Sequence, residues 1–191
     1  MKWLGKVWFW LNGWKAVGDS PSEPKYVLIA APHTSNWDWA HMLAAAWVFD
    51  VKMHWLGKRE IFDNPLGGMM RALGGVPVDR ATSNSLVDQI IQRFGESETL
   101  TIVVPPSGTR RKRDYWKSGF YHMAVGANVP IVMGYLNYGK KEAGFGPAMW
   151  PTGDLGEDMD SIRAFYQDVR GRYPALESTP RLRAEDPPSE G

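Results

Sequence analysis

The sequence predicts an α/β protein. A mostly parallel central sheet is flanked by helices, and an amphipathic, membrane-associating helix precedes it. Three observations lead there. Short apolar runs and amphipathic segments alternate about five times, the pattern of a layered structure with crossover helices. The loops that follow the first, third and fourth of those runs hold most of the chemically capable side chains, as ligand sites do at the carboxyl ends of parallel strands. Tryptophan is over-used, with 10 in 191 residues against 7 Tyr and 7 Phe, and four of them fall within the first fourteen positions. Indole favours sites that are half apolar and half wet, membrane interfaces among them.

The elements follow in order. Residues 1–17 are expected to form an interfacial helix. At 100° per residue, Trp3, Leu4, Val7, Trp10, Leu11 and Trp14 share one arc, while Lys2, Lys6, Asn12 and Gly13 lie elsewhere and Phe9 interrupts the polar side. The opposing expectation is a helix docked on its own domain. Gly18 to Pro24 is a loop. Residues 25–176 form a single domain. Its strands are expected at Tyr26–Ala31, Val51–Leu56, Gly75–Val78, Leu100–Val104 and Pro130–Leu136. Its helices are expected at Asn36–Phe49, Pro65–Leu73 (with Asn64 as cap), Ser83–Phe94, Phe120–Ala127 and Asp160–Tyr173. Pro105 to Gly119 is a charged loop, and Asn137 to Trp150 a hairpin-like return. Residues 177–191, polar and proline-rich, are expected to be a disordered tail.

Composition excludes several functions. Lys plus Arg is 22 and Asp plus Glu is 21, a net charge of +1, which argues against a nucleic-acid partner. With no Cys, disulfides, thiolate metal sites and a cysteine nucleophile are impossible. Apolar runs are too short for a transmembrane helix. The first residues lack the apolar core and cleavage site of a secretory signal.

The first informative loop reads Ala31-Pro32-His33-Thr-Ser-Asn-Trp-Asp38. A turn can bring His33 to Asp38, so that the carboxylate fixes the imidazole tautomer and leaves the other ring nitrogen to take a proton from a hydroxyl. The bland alternative is that Asp38 or Asn36 only caps the helix. The second loop, Gly75-Val-Pro-Val-Asp-Arg80, could be a turn with an ion pair. The third, Pro105-Pro-Ser107-Gly108-Thr109-Arg110-Arg-Lys-Arg113, is a solvated basic loop or an anion site in which Gly108 lets backbone amides approach a phosphate and a guanidinium grips it. His33, Asp38 and His41 could also make a metal triad, although His41 is more simply a helix histidine.

In order and spacing these blocks resemble the glycerolipid acyltransferase family of the lysophosphatidic acid acyltransferase type. That family carries an N-H-x4-D block, a G-V-I-F-I-D-R-like block, an F-P-E-G-T-R block and a V-P-I-V-P-V-like block. Here they match Pro32-His33 to Asp38, Gly75 to Arg80, Pro105 to Arg110 and Val129 to Met133. Lys58 and Lys117 also sit where the family has lysines. The resemblance implies that His33 is the general base on an acceptor hydroxyl, oriented by Asp38, and that no covalent acyl-enzyme forms. It implies a phosphate-binding role for Arg80 and Arg110, with Ser107, Gly108 and Thr109 shaping the loop and Lys58 and Lys117 adding positive charge. The donor would be acyl-CoA or acyl carrier protein and the acceptor a lysolipid, with neither metal nor cofactor required. The enzyme would be peripheral, on the cytoplasmic side of the membrane. Ser107 stands where the family has Glu, and Pro32 where it often has Asn, which leaves the acceptor open. A thioesterase on the same fold and a catalytically silent membrane-binding module are the rival readings.

Overall fold

The fold is that of a computed structural model in which residues 1–78 and 83–186 are described. A seven-stranded sheet runs in the order β1-β7-β6-β2-β5-β3-β4. Its strands are β1 (Lys15–Val17), β2 (Lys25–Ala31), β3 (Met53–Lys58), β4 (Gly75–Val78), β5 (Leu100–Val104), β6 (Ile131–Asn137) and β7 (Glu142–Met149). From β6 through β4 all neighbours pair in parallel, whereas β7 pairs antiparallel with β6 and carries β1 beside it in parallel. The α/β class and the mostly parallel sheet are therefore as the sequence indicates. The helices are α1 (Lys2–Asn12), α2 (Trp37–Phe49), α3 (Gly67–Ala72), α4 (Ser83–Glu96), α5 (Gly119–Ala127) and α6 (Leu155–Tyr166).

β2 is the central strand and shows why its run is continuously apolar. Successive side chains point to opposite faces. Val27 and Ile29 join a core with residues of α4, α5 and α6, while Tyr26 and Leu28 join a second core beneath α2. A strand covered on both faces has no polar side to display. The alanine run of α2 is divided in the same way. Ala46 faces the sheet, and Ala44 and Ala45 face α1 in a third cluster with Phe9, Trp14 and Phe49. α1 comes so close to α2 that a Cβ on Gly5 would sit 2.5 Å from the Ala44 carbonyl oxygen.

Several boundaries differ from expectation. The first helix ends at Asn12, because Gly13 adopts the left-handed conformation (φ 69°) and Trp14 N–H turns back to the Phe9 carbonyl at 2.7 Å. Residues 15–17 then form β1, a strand too short to leave a periodic signal. α6 starts at Leu155 rather than Asp160, capped by the Asp154 carboxylate on the N–H groups of Gly156 and Glu157. It stops before Tyr173, where the chain is held by its carbonyls instead: Asn137 Nδ2 donates to Asp168 O and Tyr138 N–H to Arg170 O.

The expected disordered tail is the clearest correction. Leu182 is fully buried in the main core, Trp116 N–H donates to the Arg181 carbonyl at 2.7 Å, and Arg163 pairs with Glu185 at 2.6 Å. One anchoring leucine among polar neighbours disappears in an average composition, yet it is enough to order the segment through Asp186. Residues 187–191 lie outside the described residues.

Candidate active site

Because β2 and β5 are adjacent and parallel, the loops that follow them emerge side by side at the sheet's carboxyl edge. From β2 the chain crosses to one side of the sheet through β3, β4 and β5, and β6 then adds on the other side. This is the switch in strand order where α/β proteins open a crevice.

The loop after β2 holds the expected pair. His33 Nδ1 lies 3.1 Å from Asp38 Oδ2. The same oxygen accepts the N–H groups of Thr34 and Ser35, each at 2.9 Å, and Oδ1 accepts the Tyr138 hydroxyl at 2.7 Å. The Asn36 side chain makes no capping bond, so Asp38 serves both the turn and the imidazole. Asp38 is only 4% exposed. Burial pushes its carboxyl upward, but the hydrogen bonds from His33, Tyr138 and the Ser35 backbone outweigh that and hold it below the usual carboxylate value. An ionised Asp38 makes His33 Nδ1 the protonated nitrogen, which leaves Nε2 free to accept a proton. His33 is itself partly open to solvent.

His33 and Asp38 line one end of an apolar cavity of about 150 Å³ between α2 and the sheet. Leu28, Trp39, Met42, Trp55, Tyr135 and Phe145 are among its walls. Residues 34–37, which join His33 to Asp38, line an open groove of about 400 Å³ together with Arg110, Arg111 and Tyr173. Arg110 thus reaches the neighbourhood of the pair, and neither Arg110 nor Arg111 meets a carboxylate within ion-pair distance among the described residues. Arg172 stacks over Trp37 and Tyr173 at 5.7 and 5.8 Å.

The remaining expected residues are placed as follows. Gly108 has φ 64° and lies against Lys117, whose Cε would be 2.9 Å from an added Cβ. Glycine there admits both the turn and the lysine stem. The Ser107 hydroxyl is buried and donates to the Thr109 carbonyl at 2.8 Å, so it braces its own loop. Lys58 is exposed at the carboxyl end of β3 and lines neither cavity. Arg80 lies outside the described residues. His41 turns away from the pair, donating from Nδ1 to the Trp37 carbonyl at 2.9 Å among the rings of Trp8, Trp14 and Tyr138. Among the described residues no cluster of three His, Asp or Glu side chains is placed to hold a metal ion.

Sequence reasoning missed Tyr138, Arg172 and Tyr173. Tyr138 is a hundred positions from Asp38 in the chain, and no spacing rule connects them.

A sequence profile of the Acyltransferase family matches residues 17–134. The chain belongs to the acyltransferase family. The family segment spans the loops that carry His33, Asp38 and Arg110, whereas Tyr138, Arg172 and Tyr173 lie beyond it. Among solved structures, the fold is similar to the 1-acyl-sn-glycerophosphate (LPA) acyltransferase PlsC from Thermotoga maritima. The TM-score is 0.57 at 18% identity, over 87% of this chain and 73% of that one. No curated protein sequence gives a significant match.

Proposed function

We propose that this acyltransferase moves a fatty acyl group from a thioester, acyl-CoA or acyl carrier protein, to a hydroxyl of a lysophospholipid-like acceptor at a membrane surface. The observation that carries the reading is the His33–Asp38 pair lining an apolar cavity, with Arg110 and Arg111, which meet no carboxylate among the described residues, in a groove lined by the same loop. His33 Nε2 takes the acceptor's hydroxyl proton as the oxygen attacks the thioester carbonyl. The carbon–sulfur bond then breaks, and the imidazolium returns the proton to the leaving thiolate. Asp38 stays ionised and holds the imidazole in the productive tautomer. The cavity takes the part of the acyl chain next to the thioester, since a volume of this size holds a group about as large as benzene. Arg110, helped by Arg111 and Lys117, faces the acceptor's phosphate, with Gly108 and Thr109 shaping the loop and Ser107 bracing it. Arg80 and Lys58 are assigned to the same anionic substrate on the resemblance alone.

The membrane reading rests on the two faces of α1. Phe9 and Gly5 are buried against α2, while Trp3, Leu4, Val7, Trp10 and Leu11 point to solvent, Trp10 being 78% exposed. Phe9, which interrupts the polar side on a helical wheel, belongs to the docked face. The docked expectation holds for the Phe9 face, where Trp14 is buried too, and the exposed face is the one we assign to a membrane surface. No helix among the described residues is long and apolar enough to cross a membrane. We propose a peripheral position on the cytoplasmic face of a membrane through the exposed side of α1, with Lys2, Lys6 and Lys15 adding about 1 kcal/mol each near anionic lipid.

The test is an assay with acyl-CoA and acyl carrier protein donors of graded chain length against a panel of lysophospholipids, with products identified by mass. Transfer to a phosphate-bearing lysolipid is expected. Hydrolysis at the same rate without any acceptor would replace this reading by a thioesterase.

A further inference from the structure

We infer that Tyr138 is a positioning residue for the His33–Asp38 pair, supplied from outside the family segment by the turn between β6 and β7. The inference rests on the transfer reaction proposed above. Three donors converge on Asp38 Oδ2, namely His33 and the Thr34 and Ser35 amides. A carboxylate held at one oxygen can still swing about its Cβ–Cγ bond, and the direction of its bond to the imidazole swings with it. The Tyr138 hydroxyl takes Oδ1 at 2.7 Å and removes that freedom.

The turn that presents Tyr138 is itself fixed. Asn137, buried to 4% exposure, accepts the N–H groups of Gly139 and Lys140 on its side-chain oxygen and donates from Nδ2 to the Asp168 carbonyl. Tyr138 N–H donates to Arg170 O at 2.8 Å. The ring stands edge-on to Trp14 at 4.9 Å and lies 5.7 Å from His41. Burial and the adjacent Asp38 carboxylate push the Tyr138 phenol far above its ordinary value, and Arg172 opposes this only in part. The hydroxyl is therefore a donor at every working pH. A carboxylate stripped of that bond is more basic, and it is less well aimed at the imidazole.

The experiment compares Tyr138→Phe with Tyr121→Phe. Tyr121 donates a matching bond to a second buried carboxylate, Asp158, at 2.8 Å, away from the site. Tyr138→Phe is expected to lower kcat roughly tenfold, with the KM for acyl-CoA within about twofold of wild type. The Asp38 carboxyl titration followed by carbon-13 NMR moves to higher pH. Tyr121→Phe lowers Tm and leaves kcat and the Asp38 midpoint where they were. The inference is overturned by a wild-type Asp38 midpoint in Tyr138→Phe, by a loss confined to KM, or by equal effects of the two variants. If the wild-type chain transfers no acyl group to any acceptor, the proposed reaction fails. The Asp38 midpoint in Tyr138→Phe still decides the positioning role.

Discussion

Asp38 and Asp158 are two buried carboxylates built in nearly the same way. Each accepts a tyrosine hydroxyl, Tyr138 in one case and Tyr121 in the other. Each accepts backbone N–H groups near the start of a helix, from Thr34 and Ser35 or from Thr152, and each is almost inaccessible to solvent. They differ in the remaining partner. Asp158 takes the Thr152 hydroxyl at 3.0 Å and is closed off, so it locks the β7–α6 connection. Asp38 takes an imidazole that lines a cavity and is partly open to solvent. Satisfying a buried carboxylate is thus a general structural device, and the group left open beside it decides whether chemistry is possible.

The largest expected effect breaks the two apart. His33→Ala loses on the order of 10²–10⁴ in kcat, and Asp38→Asn loses nearly as much while the chain stays folded. Asp158→Asn is expected to keep its turnover and to lose about 1–3 kcal/mol of stability by leaving buried donors unmatched. Steady-state kinetics beside urea unfolding checks both. Wild-type turnover in folded His33→Ala would remove the proposed mechanism.

A smaller contrast concerns two arginines, Arg163 and Arg110. Arg163 is paired with Asp160 and Glu185 and ties down the segment around Leu182. Arg163→Ala is expected to lower Tm and leave substrate KM values alone. Arg110, which lines the groove and meets no carboxylate among the described residues, is expected to show the reverse. Arg110→Ala raises the acceptor's KM about tenfold with little change in Tm. A rise confined to the donor's KM would assign Arg110 to the phosphates of CoA.

Acid stability sharpens the comparison further. The folded-state pKa of Asp38 is depressed, so its contribution is present above the unfolded carboxylate value of about 4 and is lost as pH falls through the lower folded value. Asp38→Asn should therefore flatten the fall of stability with acid in that window, as followed by thermal unfolding from neutral pH downward. An unchanged slope would mean that the hydrogen bonds to Asp38 do not hold it ionised.

The smallest expected change in the folded chain comes from the outer face of α1. Trp3→Ser with Trp10→Ser is expected to leave Tm unchanged, because neither ring is packed, and to cut binding to anionic vesicles tenfold or more. Substituting the exposed face tests this more cleanly than deletion, since Phe9 and Trp14 are part of the core. Wild-type vesicle binding in the double variant would move the membrane contact elsewhere.

Much of this molecule is legible along the chain. Tyr26–Ala31 announces a strand covered on both faces, and the loops after it and after Val104 announce the site, since local runs and turn residues act over a few positions. The His33–Asp38 pair is legible for the same reason, its members being five residues apart in one turn. By itself the sequence determined the layered α/β class, the parallel strands and the loop that pairs His33 with Asp38. Only the tertiary structure decided which face of α1 is docked, that Leu182 anchors a polar segment, and that Tyr138, Arg172 and Tyr173 stand at the same site. Those contacts join residues up to a hundred and more positions apart. They are set by sheet order and helix packing, and no local preference encodes them.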